Sequence, residues 1–214
     1  MLNSFEFESD FYLVFEYSDM GDLFNYIDEK YDQIAERVMY IRDLFTQIKP
    51  SIVKAIIKDM CTALVCCHRR NICHKDIKPE NILLFKNKGE LAKTKPIIFK
   101  LGDLGLAQCS LEKIKSRSGT PAYNAPELHK YEEHYCDKTD MWSIGILTYL
   151  LSSHETHNAF EHIEHYKNEN EIEERVKANV IDVQTRSFII GLLKMNPSER
   201  MTAEECLNHS FLKN

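Results

Sequence analysis

His74-Lys75-Asp76-Ile77-Lys78-Pro79-Glu80-Asn81, running into Ile82-Leu83-Leu84, is the stretch on which the fold turns. Asp76, Lys78 and Asn81 place a carboxylate, an ammonium and an amide close together around Pro79. Proline fixes its own φ and biases the residue before it away from helix, so these groups belong to an ordered loop. The β-branched and leucine residues that follow read as a short strand. Three polar groups of different chemistry suit a proton acceptor, a counter-charge for phosphate and a metal ligand.

Upstream of the loop, Ser51 to His68 carries the strongest helical pattern in the chain. Ile52, Val53, Ile56, Ile57, Met60, Leu64 and Val65 recur at i, i+3, i+4 and i+7, which makes a broad buried face. Such a helix is a platform that delivers the loop. Residues 31–49 continue at helical spacing through Ile34, Val38, Ile41, Leu44, Phe45 and Ile48, and Pro50 interrupts them. Phe11 to Phe15 reads as a buried strand. Gly21 marks a turn after it, and Asp22 is placed to cap a helix with Leu23, Phe24 and Ile27 inward.

Downstream, Ile82–Phe85 and Ile97–Leu101 read as a hairpin with Gly89 in its turn. Gly102-Asp103-Leu104-Gly105 then holds a second carboxylate in a glycine-flanked turn. No period is visible from Ala107 to Tyr123, a loop too long for a simple connection. Ser110, Ser116, Ser118 and Thr120 sit there among Lys113, Lys115 and Arg117. Ala125-Pro126-Glu127 opens a helical turn, and Thr139 to Leu151 reads as a second apolar helix capped by Thr139 or Asp140. Residues 152–179 are polar and helical at best in pieces. Thr185–Leu193 and Thr202–Leu207 close the chain as helices, the latter behind the capping pattern Thr202-Ala203-Glu204-Glu205.

Composition bounds the function. With 43% hydrophobic and 28% charged residues, the 214 residues form a folded chain, read as one domain over 1–214. A net charge of -6 argues against a broad nucleic-acid-binding surface. No apolar run approaches the ~20 residues that cross a bilayer, so no membrane is expected. Met1 to Asp10 carries acidic residues and no basic region, which speaks against a signal peptide. Seven cysteines without a C-x-x-C pair read as reduced, mostly buried thiols of a cytoplasmic or nuclear protein. His154, His157, His162 and His165 among Glu155, Glu161 and Glu164 lack the H-E-x-x-H order, so a solvated acidic face is favoured over zinc.

Taken together, these motifs resemble the eukaryotic protein kinase family in its serine/threonine form. His74-Lys75-Asp76 and Asn81 resemble the catalytic loop, Asp103-Leu104-Gly105 the metal-binding triplet, and Ala125-Pro126-Glu127 the end of the activation segment. Glu16-Tyr17-Ser18 resembles the hinge that receives adenine. Asp140-Met141-Trp142-Ser143-Ile144-Gly145 resembles the central helix, and Arg200 the arginine that pairs with Glu127. Lys78-Pro79-Glu80 and Gly119-Thr120-Pro121 carry the serine/threonine form.

The resemblance implies transfer of the ATP γ-phosphate to protein hydroxyls, with ATP and Mg²⁺ as cofactors and protein substrates as partners. It makes Asp76 the residue that orients the hydroxyl and accepts its proton, Lys78 the counter-charge, Asn81 and Asp103 the metal ligands, and Thr120 the brace for Asp76 and Lys78. Leu83 falls under the adenine, Phe15 behind it, Glu16, Tyr17 and Ser18 beside it, and Asp22 near the ribose. His74, Glu127, Asp140 and Arg200 are structural. Ser116 aligns with a site of activating phosphorylation.

The implied fold is mainly α, of the α+β class: a helical large lobe with short β-hairpins, its small N-terminal lobe missing or vestigial. Three departures accompany the match. Lys75 replaces an arginine and loses its planar fork. Leucine stands at 104 in place of phenylalanine. No G-x-G-x-x-G loop, no Val-Ala-Ile-Lys strand and no partner helix precede the first strand. Their absence would leave apolar surface exposed at Phe11, Leu13 and Phe15, open to a partner. Two readings therefore stand beside the active kinase: an inactive kinase-like binding or scaffold protein, and a fragment of a longer kinase.

Overall fold

The computed structural model describes residues 2–27, 48–109, 111, 113, 115, 117–130, 132–134, 136–153 and 168–213. The expectations for residues 31–47, for Ser110 and Ser116, and for the histidines between 154 and 165 lie outside these. At the N-terminal end, β1 (Asn3–Phe7) and β2 (Asp10–Val14) form an antiparallel hairpin, with Asn3 opposite Val14. The residue pattern predicts one buried strand here, while the departures from the family predict exposure at Phe11, Leu13 and Phe15. The structure has two, and both lie exposed, Phe11 at 70%. An aromatic-rich run satisfies strand propensity whether or not anything covers it, so the pattern could not report burial. The apolar side chains instead meet across the pair, where Phe5 and Tyr12 stack at 5.0 Å.

A helical segment, α1, follows over residues 23–27. Asp22 caps it as expected, its carboxylate accepting from Asn25 N–H at 2.8 Å. Leu23 and Ile27 point inward, but Phe24 is 37% exposed, and Tyr26 packs against the core in its stead.

The centre of the core is α2, Pro50–His68. Pro50 sits in its first turn, where the missing N–H has no intrahelical partner to lose. Val53, Ile56, Ile57, Met60, Cys61, Leu64 and Val65 are buried along one face. At 2–5 kcal/mol for a large-to-Ala change at such positions, this face accounts for a substantial part of the stability. On its outer side Asp59 accepts from Phe99 N–H at 3.1 Å and ion-pairs with Lys95, fastening the helix to the hairpin that follows.

That hairpin is β4 (Ile82–Lys86) with β5 (Ile97–Leu101), antiparallel with Ile82 opposite Leu101. Its connection is longer than a turn at Gly89 alone. Asn87 closes it through bonds to Pro96 and Lys95 carbonyls, and a 3-10 turn runs Glu90–Lys93. A second, unexpected pair joins β3 (Ile72–Cys73) to β6 (Gln108–Cys109). A further 3-10 turn at Pro121–Tyr123 and the short helix α3, Pro126–His129, follow.

The second long helix, α4, spans Cys136–Ser152. It begins ahead of Thr139, so neither Thr139 nor Asp140 caps it, and Asp140 lies inside the helix with a task elsewhere. Met141, Ile144 and Leu147 join the cluster around α2, while Trp142, Ile146, Tyr149 and Leu150 join one made with Ile172, Val176 and Ile189. From Thr139 to Leu151 the helix is buried on every side, and it serves as the post between the two clusters. Helix α6 (Val183–Leu192) packs on α4, α5 (Glu169–Asn179) joins the Trp142 cluster, and α7 (Ala203–Asn208) and α8 (Ser210–Lys213) pack against α2. Helix α6 starts two residues ahead of the expected Thr185, because Asp182 caps it. The Thr202–Glu205 capping box forms as read.

Candidate active site

Asp76 lies on the loop between β3 and β4. Asp140 of α4 fixes that loop from below: its Oδ1 accepts from Lys75 N–H at 2.8 Å and its Oδ2 from His74 N–H at 2.9 Å. His68, the last residue of α2, donates from Nε2 to the same carboxylate at 2.9 Å. Burial opposes protonation of His68, but the hydrogen bond and charge of Asp140 outweigh it and raise its pKa. Lys75 adopts a left-handed backbone, φ +69, which turns Asp76 outward. His74 is buried, with Nε2 2.7 Å from the Gly102 carbonyl. Only a protonated nitrogen meets a carbonyl, so Nε2 carries the hydrogen, and the role of His74 is to brace the loop.

The Asp76 carboxylate receives four donors. Oδ1 accepts from Thr120 N–H at 3.1 Å and from its hydroxyl at 2.7 Å. Oδ2 accepts from Asn81 Nδ2 at 3.0 Å and Lys78 Nζ at 2.9 Å. Lys78 Nζ also donates to Thr120 Oγ1 at 2.9 Å, closing a ring of three side chains. Burial pushes the Asp76 carboxyl up, but Thr120, Lys78 and Asn81 together hold it below its ordinary value.

Asn81 donates a second time to the Asp76 carbonyl at 2.8 Å, which leaves its amide oxygen as an acceptor for a cation. Its own carbonyl accepts from Gly102 N–H at 2.8 Å, and so draws the Asp103 turn alongside. Gly102 permits this approach, because a Cβ there would lie 2.9 Å from Leu83 Cδ1. Asp103 has φ +55, faces solvent and accepts from Gly105 N–H at 3.0 Å through Oδ1, leaving Oδ2 outward. Oxygen ligands from an amide and a carboxylate fit a hard cation such as Mg²⁺.

Thr120 reaches Asp76 because Gly119 lets the segment pass close. At Gly119, φ is +108, and a Cβ would fall 2.7 Å from the Lys75 carbonyl and 2.5 Å from Asn124 Oδ1. Farther out, Glu127 and Arg200 form a buried bidentate pair at 2.6 and 2.7 Å. The Arg200 guanidinium also donates to the Lys194 and Lys138 carbonyls and stacks over Trp142 at 5.0 Å.

Residues 15–22 run beside β4. The Ser18 hydroxyl donates to the Gly21 carbonyl at 2.6 Å and to the Leu84 carbonyl at 2.7 Å, and Asp22 bridges Leu83. Glu16 ion-pairs with Lys100, and Tyr17 is 88% exposed, like the half-exposed Phe15. The Asp22 carboxylate is engaged with Asn25 through both oxygens. Two residues escaped the sequence reading. His68 could have been found as the last polar residue of the apolar helix, whereas Gln108, in a two-residue strand, gives no periodic signal.

The profile of the protein kinase domain family matches residues 1–212. The chain belongs to that family. It is 32% identical to the serine/threonine-protein kinase DCLK3 of Mus musculus, over 98% of this chain and 25% of that protein. Myosin light chain kinase 2, skeletal/cardiac muscle, of Mus musculus is 31% identical over 94% of this chain and 30% of its own length. Serine/threonine-protein kinase chk-2 of Caenorhabditis elegans is 31% identical over 94% of this chain and 40% of its own. The chain thus spans 25% to 40% of the length of these relatives.

Proposed function

We propose that this chain catalyses transfer of the ATP γ-phosphate to serine or threonine hydroxyls of protein substrates. The observation that carries the reading is the Asp76 carboxylate, held by Thr120, Lys78 and Asn81 on a loop that also fixes the Asp103 turn. A carboxyl held below its ordinary value is ionised throughout the neutral range and is a weak base. Its work is therefore to orient the substrate hydroxyl by accepting its hydrogen bond, and to receive the proton late in the transfer. Lys78 lies against Asp76 and adds positive charge where phosphate oxygens would gain negative charge. Asn81 and Asp103 would hold Mg²⁺, which supplies charge neutralisation at phosphate oxygens. Ser18, Asp22 and Leu83 shape the edge beside β4, against which an adenine and ribose would lie. Free thiols at Cys61, Cys66, Cys67, Cys73, Cys109 and Cys206 suit a reducing compartment such as the cytoplasm.

A second reading rests on the exposed β1–β2 hairpin. The 214 residues contain no G-x-G-x-x-G and no Val-Ala-Ile-Lys strand, so we read the hairpin as what this chain holds of the smaller lobe. On that reading the chain is a kinase-like binding protein or a piece of a longer kinase. Radiolabelled ATP transfer to a basic protein separates the two. The first predicts transfer that falls about 100-fold or more in Asp76→Ala and Asp103→Ala. Transfer unchanged by both substitutions would overturn it. Calorimetric titration with MgATP supplies the control, because a chain that binds no nucleotide supports the second reading.

A further inference from the structure

One side-chain contact joins the Asp76 loop to the segment that leaves the Asp103 turn. Lys75 Nζ donates to Gln108 Oε1 at 2.9 Å. Both residues are half-buried. The Lys75 backbone is fixed at φ +69 with its N–H on Asp140, so its side chain leaves the loop in a set direction. Gln108 opens β6 directly opposite Cys73, the residue that precedes His74. Backbone pairing and side-chain contact therefore bind the same two segments. One carries Asp76 and the other descends from Asp103.

We propose that Lys75 and Gln108 are a positioning pair, holding the exit of the Asp103 turn in register with the Asp76 loop without any phosphate on the chain. An ammonium is a compact donor that is content with one well-placed oxygen, and it does not need the planar match that a guanidinium exploits. A neutral amide oxygen gives it one charge-assisted bond, and it brings no second charge into the half-buried site. The β3–β6 pairing is too short to hold register alone, since each strand has two residues. The side-chain bond supplies the missing constraint. Its catalytic consequence rests on the kinase reading above, whereas the tether itself does not.

Trypsin tests the tether independently of activity, since Lys113, Lys115 and Arg117 follow β6. Gln108→Ala and Lys75→Met should each raise cleavage in this segment roughly three- to tenfold, with the thermal midpoint of the whole chain shifted by no more than about 3 °C. Gln108→Glu keeps an acceptor and should restore protection. The double variant Lys75→Met/Gln108→Ala should cleave no faster than either single one. Wild-type cleavage in both single variants, or single effects that multiply in the double, would overturn the pair. Where the wild type transfers phosphate, phosphatase treatment should leave its rate unchanged. The two single variants should lose kcat by a similar factor, with KM for ATP unaltered. Loss of wild-type transfer on dephosphorylation would overturn the phosphate-independence. A wild type that transfers nothing would count against the kinase reading, and proteolysis would still decide the tether.

Discussion

Replacing Asp140 is the most direct probe of how the helical post controls the Asp76 loop. Asp140 is 1% exposed, and its carboxylate takes three hydrogen bonds, from Lys75 N–H at 2.8 Å and from His74 N–H and His68 Nε2 at 2.9 Å. Asp140→Ala strands two backbone donors in the interior. Each buried donor without a partner costs about 1–3 kcal/mol, so the pair costs about 2–6 kcal/mol before the bond from His68 is counted. Asp140→Asn keeps one acceptor oxygen and turns an NH₂ toward the other donors, at about half that cost. Against a total stability of about 5–15 kcal/mol, the alanine variant should be marginal and the asparagine variant intermediate. Urea unfolding followed through Trp142, the one tryptophan in the chain and itself buried, measures both. If both variants unfold within about 0.5 kcal/mol of the wild type, the carboxylate is not what holds the loop.

Arg200→Met should cost about 3–5 kcal/mol, because Glu127 would remain as an unpaired buried charge. In a chain of this size that lowers the melting temperature by about 6–20 °C, and adding Glu127→Leu should recover most of it; scanning calorimetry checks both. His68 has its folded pKa raised above the ordinary 6.5, so its contribution is fully present below that value and is lost as pH rises through the folded pKa. As pH rises above 6.5, His68→Gln should flatten the stability profile, and equal slopes in the two proteins would refute the assignment. Thr120→Val removes the hydroxyl that helps hold the Asp76 carboxyl low, so for the proposed transfer reaction the acid limb of the pH–rate profile should move to higher pH. Transfer at neutral pH should fall roughly tenfold, and an unmoved acid limb would show that Thr120 does not tune Asp76.

What could be read from the residues alone was local. The Asp22 cap, the Thr202–Glu205 capping box, the face of α2 and the β4–β5 pair all rest on spacings of a few residues. The loop His74–Asn81 was legible for the same reason, with its polar groups set around a proline. Partners distant in sequence left no spacing signal: Arg200 for Glu127 and Thr120 for Asp76 were expected only from the family resemblance, and partners outside its motifs were not legible at all. The bonds from His68 and Gln108 span 72 and 33 residues, and β3 and β6 are too short to show a period. The start of α4 was misplaced because its first turn, Cys136-Asp137-Lys138-Thr139, is polar and lies ahead of the apolar run that marks the rest of the helix. Asp140 looked like a cap for the same reason that it works as an anchor, since a carboxylate accepts from N–H groups wherever it meets them. At β2, the composition named the strand correctly but carried no information about what lies over it.

The bond between Glu127 and Arg200 links residues 73 apart, and this sets an order on the making of the protein. A ribosome adding about 5–20 residues per second delivers Arg200 about 4–15 s after Glu127. Through that interval the carboxylate has no guanidinium to enter the interior with, so it must stay hydrated, and α3 cannot seat against α4 in its final form. The mature arrangement around Trp142 thus waits on the arrival of one late side chain. A chain broken off before Arg200 would offer the cell's proteases an open, hydrated seam where the finished domain presents a closed one.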